Sequence, residues 1–208
     1  MSMRGNFFED FQVGQTIEHA TPRTITEGDQ SLYVALTGDR LPQHCASTFA
    51  QAIGYERETI NDLLLFHMVF GKSVDDISLN AVANLGYASM RFLRPVYPGD
   101  TVRSRSKVLG LRENSSGTTG IVWVETSGTN QRDEEVLRFR RWVMVHKKDP
   151  ASPTSHKDRP EMATSVATSE LVIPEALTLD AYPAWAAGGA YFEDFEAVSL
   201  ESERERRE

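Results

Sequence analysis

Asn61-Asp62-Leu63-Leu64-Leu65-Phe66-His67-Met68-Val69-Phe70-Gly71-Lys72-Ser73-Val74-Asp75-Asp76-Ile77 is the stretch whose reading decides the fold. Leu63, Phe66, His67, Phe70, Val74 and Ile77 recur at three- and four-residue steps, which places them along one stripe of an α-helix. Asn61 or Asp62 offers a side-chain oxygen to the open N–H groups of its first turn. Such an apolar helix belongs at the centre of a domain, and the flanking sequence supplies what would surround it. Downstream lie four β-rich runs, Leu85–Val96, Thr101–Leu111, Thr119–Gly128 and Val136–Lys147. They are bounded by the turn words Pro98-Gly99-Asp100, Asn114-Ser115-Ser116-Gly117 and Thr129-Asn130-Gln131-Arg132-Asp133. In the last run Leu137, Phe139, Val143 and Val145 share one face by the two-residue period, with Arg138 and Arg140 on the other. Upstream, Val13 to His19 reads as a short strand, and Thr26 with Asp29 forms a capping box for a helix carrying Leu32 and Leu36 on one face. The prediction is an α+β fold: a curved antiparallel sheet wrapped around a central helix, with Phe66, Phe70, Val74, Phe92 and Val143 in or near the core.

The 208 residues include 22 Lys+Arg and 30 Asp+Glu, a formal charge of 22 − 30 = −8, with 40% hydrophobic and 25% charged residues. That balance suits a globular domain, and the negative charge argues against nucleic acid or an anionic membrane surface as principal partner. No apolar run reaches the ~20 residues that span a bilayer, and MSMRGNFFEDF lacks a signal-peptide apolar region, so the expected compartment is the cytosol. The single cysteine, Cys45, cannot form an internal disulfide, and no cluster at metal-ligand spacing accompanies it.

Residues 149–170 are rich in Pro, Ser, Thr and charge and read as a linker or a surface-hugging loop. Beyond them an internal echo appears: Phe7-Phe8-Glu9-Asp10-Phe11 recurs as Phe192-Glu193-Asp194-Phe195 after Tyr191. The recurrence suggests a duplicated domain beginning again, followed here only by a short charged run. The expected organisation is a domain over 1–148, a linking segment over 149–190 and the start of a second, truncated repeat over 191–208.

Thr37-Gly38-Asp39-Arg40-Leu41-Pro42-Gln43-His44, followed by Phe49-Ala50, resembles the hydratase motif of the MaoC-like hot-dog dehydratases, T-G-D-x-N-P-x-H-x-D. Arg91-Phe92-Leu93-Arg94-Pro95-Val96-Tyr97-Pro98-Gly99-Asp100-Thr101 resembles the strand-and-turn signature of that superfamily. The words FFEDF, HATPRT, FGKSVDDISLNAVANLGY and GTNQ are similar to one branch, the mesaconyl-CoA hydratases, also called β-methylmalyl-CoA dehydratases, over residues 6–148. The resemblance implies a hot-dog fold, duplicated in that branch, and reversible hydration of mesaconyl-CoA to β-methylmalyl-CoA with an acyl-CoA thioester as substrate. It implies no metal or redox cofactor. Two other readings stay open, a hot-dog acyl-CoA thioesterase and a non-catalytic acyl-CoA-binding half, since fold alone does not choose between them. A symmetric homodimer is expected to replace the absent second repeat.

Hydration of an α,β-unsaturated thioester needs a base for water at the β carbon, an acid for the α carbon and donors for the enolate-like oxygen. Asp39 and His44 flank Pro42, which turns the chain so that both can face one pocket and hold a water between them; resemblance makes them the catalytic pair. Leu41 and Ala46 stand where the family carries asparagine and aspartate. The family's His-Gly step near the start of the central helix, whose N–H meets the thioester oxygen, is matched to His67-Met68. Arg91, Arg94 and Lys72 are weaker candidates for the coenzyme A phosphates, against the alternative of a solvated strand face. Gly71-Lys72-Ser73 lacks the rest of a phosphate-binding loop, Asp75-Asp76 reads as helix-end charge, and Asp62 and His67 fall on different faces of one helix.

Overall fold

The computed structural model describes residues 5–152, 154, 156–178, 180 and 191–195. Five strands form one antiparallel sheet: β1 (Thr16–Thr24), β2 (Ala81–Phe92), β3 (Thr101–Glu113), β4 (Thr119–Thr129) and β5 (Glu135–His146), in the order β1-β3-β4-β5-β2. Four helices precede β2: α1 (Glu27–Thr37), α2 (Pro42–Cys45), α3 (Ser47–Ala52) and α4 (Asp62–Lys72). The α4 helix crosses one face of the sheet. Leu64, Leu65 and Val69 enter a core with Ile25, Val102, Leu137 and Phe139, each side chain worth ~1.5–3 kcal/mol on burial. The helix can come this close because β4 carries Gly128: a Cβ there would lie 2.6 Å from Val69 Cγ2. A second core gathers Phe8, Phe11, Ile77, Val122, Val143 and Val145.

The sequence-based expectations meet the structure with instructive differences. Gly14, at φ +86°, makes a turn where the first strand was expected to begin, and β1 instead starts at Thr16 and runs to Thr24 through an irregularity between His19 and Arg23. The central helix is α-helical only to Lys72; Val74–Ser78 is a wider π turn that still buries Ile77. Val143 is fully buried, whereas Phe66, Phe70 and Phe92 are half-buried against the first core and Val74 is half-buried. Leu32 and Leu36 are exposed, and the residue α1 buries is Gln30. The inward face of β5 continues unbroken through Arg141, which is fully buried between Phe139 and Val143. Its guanidinium donates to Ser73 Oγ at 2.9 Å and Ser78 Oγ at 3.4 Å and lies 4.6 Å from the Phe70 ring centre. Burial without a carboxylate partner pushes its pKa down to about 10.

The segment after β5 is seated on the sheet and, further on, against the end of α3. Lys147 Nζ donates to Glu113 and to the Ser152 carbonyl, both at 2.7 Å; Pro160 lies over Gly110; Glu170 pairs with Arg91; and Thr178 N–H donates to Ile53 O at 3.0 Å. The two echoed words both form a 3-10 turn, Phe8–Asp10 and Phe192–Asp194. Phe8 and Phe11 are buried under the sheet, while Phe192 and Phe195 are exposed. Residues 196–208 and most of 179–190 lie outside the described residues, so the expected repeat start and the end of the linking segment are described only in part.

Candidate active site

Gly38, at φ +67°, ends α1 in the left-handed conformation that glycine tolerates best, and sends the chain toward α2 with Asp39 at the corner. Pro42 occupies the first turn of α2, where its missing N–H costs nothing, and two residues on His44 points back. His44 Nδ1 and Asp39 Oδ2 are 2.7 Å apart, with only 3% and 7% of the two side chains exposed. Asp39 Oδ2 also accepts from Asn61 Nδ2 at 2.6 Å, and Oδ1 from the Leu41 N–H at 2.9 Å. Burial disfavours the carboxylate, but Asn61, Leu41 and His44 together outweigh it and hold the Asp39 carboxyl below its usual range. The His44 backbone is fixed as well. Its N–H donates to Leu41 O at 2.9 Å, and its carbonyl accepts from Gln30 Nε2 at 2.7 Å, an amide that also reaches Thr59 O at 3.0 Å. With Nδ1 turned to Asp39, Nε2 is the nitrogen left for chemistry, with Gln43 Nε2 at 3.3 Å.

A groove of about 610 Å³ runs between α1 and α4, lined by Leu32, Leu36, Tyr33, Leu64, His67 and Met68. Its other end carries Lys72, Arg23, Asp29 and Asp76. Lys72 donates to the Thr21 carbonyl, which the irregularity of β1 turns toward it; Thr21 itself sits at φ +69°, an unusual conformation for a β-branched residue. Burial, with the charge of Arg23, lowers the Lys72 pKa.

The family model for mesaconyl-CoA hydratase matches residues 2–207. The chain belongs to the mesaconyl-CoA hydratase family. It is 53% identical to the β-methylmalyl-CoA dehydratase of Chloroflexus aurantiacus, over 92% of this chain and 55% of that protein. It is 53% identical to the mesaconyl-CoA hydratase of Cereibacter sphaeroides, over 88% of this chain and 54% of that one. A solved MaoC domain dehydratase from Chloroflexus aurantiacus superposes with a TM-score of 0.86 at 52% identity, covering 94% of this chain and 56% of the other. The sheet wrapped on α4 is therefore the hot-dog fold of the MaoC-like dehydratases, and the chain spans about half the length of the curated relatives it matches.

Within this mesaconyl-CoA hydratase family fold the expected site residues divide. Asp39 and His44 are brought into direct contact, so the expected water held between them is replaced at Nδ1 and Oδ2 by a hydrogen bond. Leu41, in place of asparagine, still serves Asp39 through its backbone N–H, while Ala46 leaves α3 without a side-chain cap. His67 and Met68 are not an oxyanion pair. They lie in the middle of α4, where each N–H goes to the carbonyl four residues back; the open N–H groups of a helix belong to its first turn. That turn starts at Asp62. Asn61 Oδ1 takes the Leu63 N–H at 2.8 Å, and the Asp62 carboxyl stands beside His44 and Tyr55. Although solvent reaches Asp62, desolvation pushes its carboxyl up, against the opposing effect of His44. His67 and Met68 instead line the groove. Lys72 lines the groove near Arg23, Asp29, Asp75 and Asp76, with Arg23 itself paired to Asp29 at 2.6 Å. Arg91 does not, being paired with Glu170 at 2.5 Å, and Arg94 borders a separate cavity of about 110 Å³ with Gln43, Tyr55 and Asp62. Gln30 and Arg23 were missed by sequence reasoning, and Asn61 was read there only as a helix cap; a polar side chain one turn into an otherwise amphipathic helix was the signal available for Gln30.

Proposed function

We propose that this chain takes part in the reversible hydration of mesaconyl-CoA to β-methylmalyl-CoA, with Asp39 and His44 as its acid–base centre. The observation that carries the reading is the buried 2.7 Å contact between them, with Asp39 held ionised by further donors. An ionised Asp39 keeps the shared hydrogen on Nδ1 and leaves Nε2 as base. In the hydration direction Nε2 takes a proton from water as the oxygen bonds to the β carbon, and the imidazolium returns a proton to the α carbon, which regenerates the base. Charge that develops on the thioester oxygen needs N–H donors, and the start of α4 offers them beside a positive helix end. The groove between α1 and α4 takes the coenzyme A portion, with Lys72 toward its phosphates; neither Asp39 nor His44 lines that groove, and the acyl end is assigned to the cavity of about 450 Å³ that His44 lines with Val34, Cys45 and Pro98. Acid–base groups suffice for every step, so the proposal calls for no metal or redox cofactor. The same reading places the reaction in the cytosol and the chain as a homodimer.

The second reading, an acyl-CoA-binding half without chemistry of its own, is favoured by one observation: the Asp62 carboxyl stands on the turn where a developing oxyanion would be received. Mass spectrometry after incubating the chain with mesaconyl-CoA separates these cases. Hydration gives an intact thioester heavier by one water. Free coenzyme A would indicate a thioesterase, and unchanged but retained mesaconyl-CoA a binding half.

A further inference from the structure

We propose that Asn61 is the positioning residue of the Asp39–His44 pair, locking its charge and tautomer from the N-terminus of the central helix. The inference rests on reading that pair as the acid–base centre. Asn61 uses its single amide twice: Oδ1 accepts the Leu63 N–H at 2.8 Å, capping α4, and Nδ2 donates to Asp39 Oδ2 at 2.6 Å. The two contacts fix each other. Were the amide reversed, Nδ2 would face the Leu63 N–H, donor against donor, and Oδ1 would face the Asp39 carboxylate, acceptor against acceptor. The helix cap therefore dictates that a donor meets Asp39.

That donor lands on the same oxygen that His44 Nδ1 approaches at 2.7 Å, while the Leu41 N–H holds the other oxygen at 2.9 Å. With Asn61 Nδ2 and the Leu41 N–H donating to its two oxygens, the carboxyl is favoured in its ionised form, which accepts at every position, and the hydrogen of the 2.7 Å contact is favoured on Nδ1. The motif loop carries Leu41 where the resembled motif has an asparagine, and a carboxamide reaches Asp39 from the start of the helix. Because the same side chain caps α4, the distance between the base and the open N–H groups of the helix start is set by one residue.

Asn61→Ser and Asn61→Asp separate the two roles, since serine and aspartate cap helices about as well as asparagine but neither donates an amide N–H to Asp39. On the full chain, carboxyl ¹³C NMR follows the titration of Asp39 and imidazole ¹⁵N NMR the tautomer of His44, with thermal unfolding as the control for the cap. Asn61→Ser is expected to raise the Asp39 midpoint by about one unit, Asn61→Asp by more, and both to populate the Nε2–H tautomer while melting close to the parent chain. Where turnover is measured, kcat falls roughly ten- to a hundredfold with KM little changed. An unchanged Asp39 midpoint and His44 tautomer in both variants would overturn the proposal, and so would unfolding of both, which would reduce Asn61 to a cap. The titrations need no turnover: a chain that fails to hydrate mesaconyl-CoA yet shows these shifts sinks the functional reading and leaves Asn61's control of the pair standing.

Discussion

His19 shows how much a single buried position can control. Its ring is shielded from solvent, with Nδ1 2.7 Å from Asp76 Oδ2 and Nε2 2.8 Å from Ser106 Oγ, which in turn meets Thr126 Oγ1 at 2.7 Å. Burial lowers its pKa below the ordinary 6.5 despite Asp76, and Arg141 adds to the lowering while Glu18 opposes it. A folded state that prefers the neutral imidazole binds fewer protons than the unfolded chain, so this contribution to stability is complete above about pH 6.5 and is lost as pH falls below it. The melting temperature is therefore expected to drop between pH 7.5 and 5, and His19→Gln, which keeps hydrogen-bonding groups but does not titrate, should flatten that slope. An unaltered slope in the variant would assign the dependence to other groups. The same residue scale marks a limit of sequence reading. Arg141 and Gln30 are polar residues at inward positions, and only tertiary partners, the serines beside α4 and the carbonyls of His44 and Thr59, explain why they are buried.

At the scale of elements, periodicity located α4 and the four strands that follow it, because helix and strand alternation are local consequences of which residues must be buried. Boundaries were less legible: the start of β1 is set by the Gly14 turn and the end of the α-helical part of the central helix by the π turn. The start of α4 was read correctly, yet His67-Met68, matched to the oxyanion step, fall in the middle of the helix. The match came from family resemblance, and a mid-helix N–H is already bonded. The helix–sheet contact makes its own prediction. Gly128→Ala places a methyl 2.6 Å from Val69 Cγ2 and should destabilise the fold by ~1–3 kcal/mol in denaturant unfolding. Adding Val69→Ala should recover part of that loss, and a fully additive double mutant would show that the two do not meet.

For the whole molecule, the proposed homodimer has apolar surface to bury. Leu32, Leu36, Leu41 and Leu63 are exposed on the helical side, and the edge strand β2 exposes Val82, Leu85 and Tyr87. Light scattering of the chain is expected to give twice the monomer mass, and Leu36→Lys with Leu63→Lys to shift it toward monomer; a monomer at all concentrations would contradict the homodimer. The dyad motif was legible because its residues are close in sequence. Its support was not, since Gln30 and Asn61 arrive from two different helices. The proposed chemistry requires Asp39 and His44 to act as one unit on the thioester. The most direct measurement is mesaconyl-CoA hydration turnover for Asp39→Asn, His44→Ala and the double variant, each checked for folding. Each single change is expected to remove roughly a hundredfold or more, and the double variant to lose far less than the product of the two, as one acid–base unit requires. Near-parent turnover in a folded double variant would contradict it.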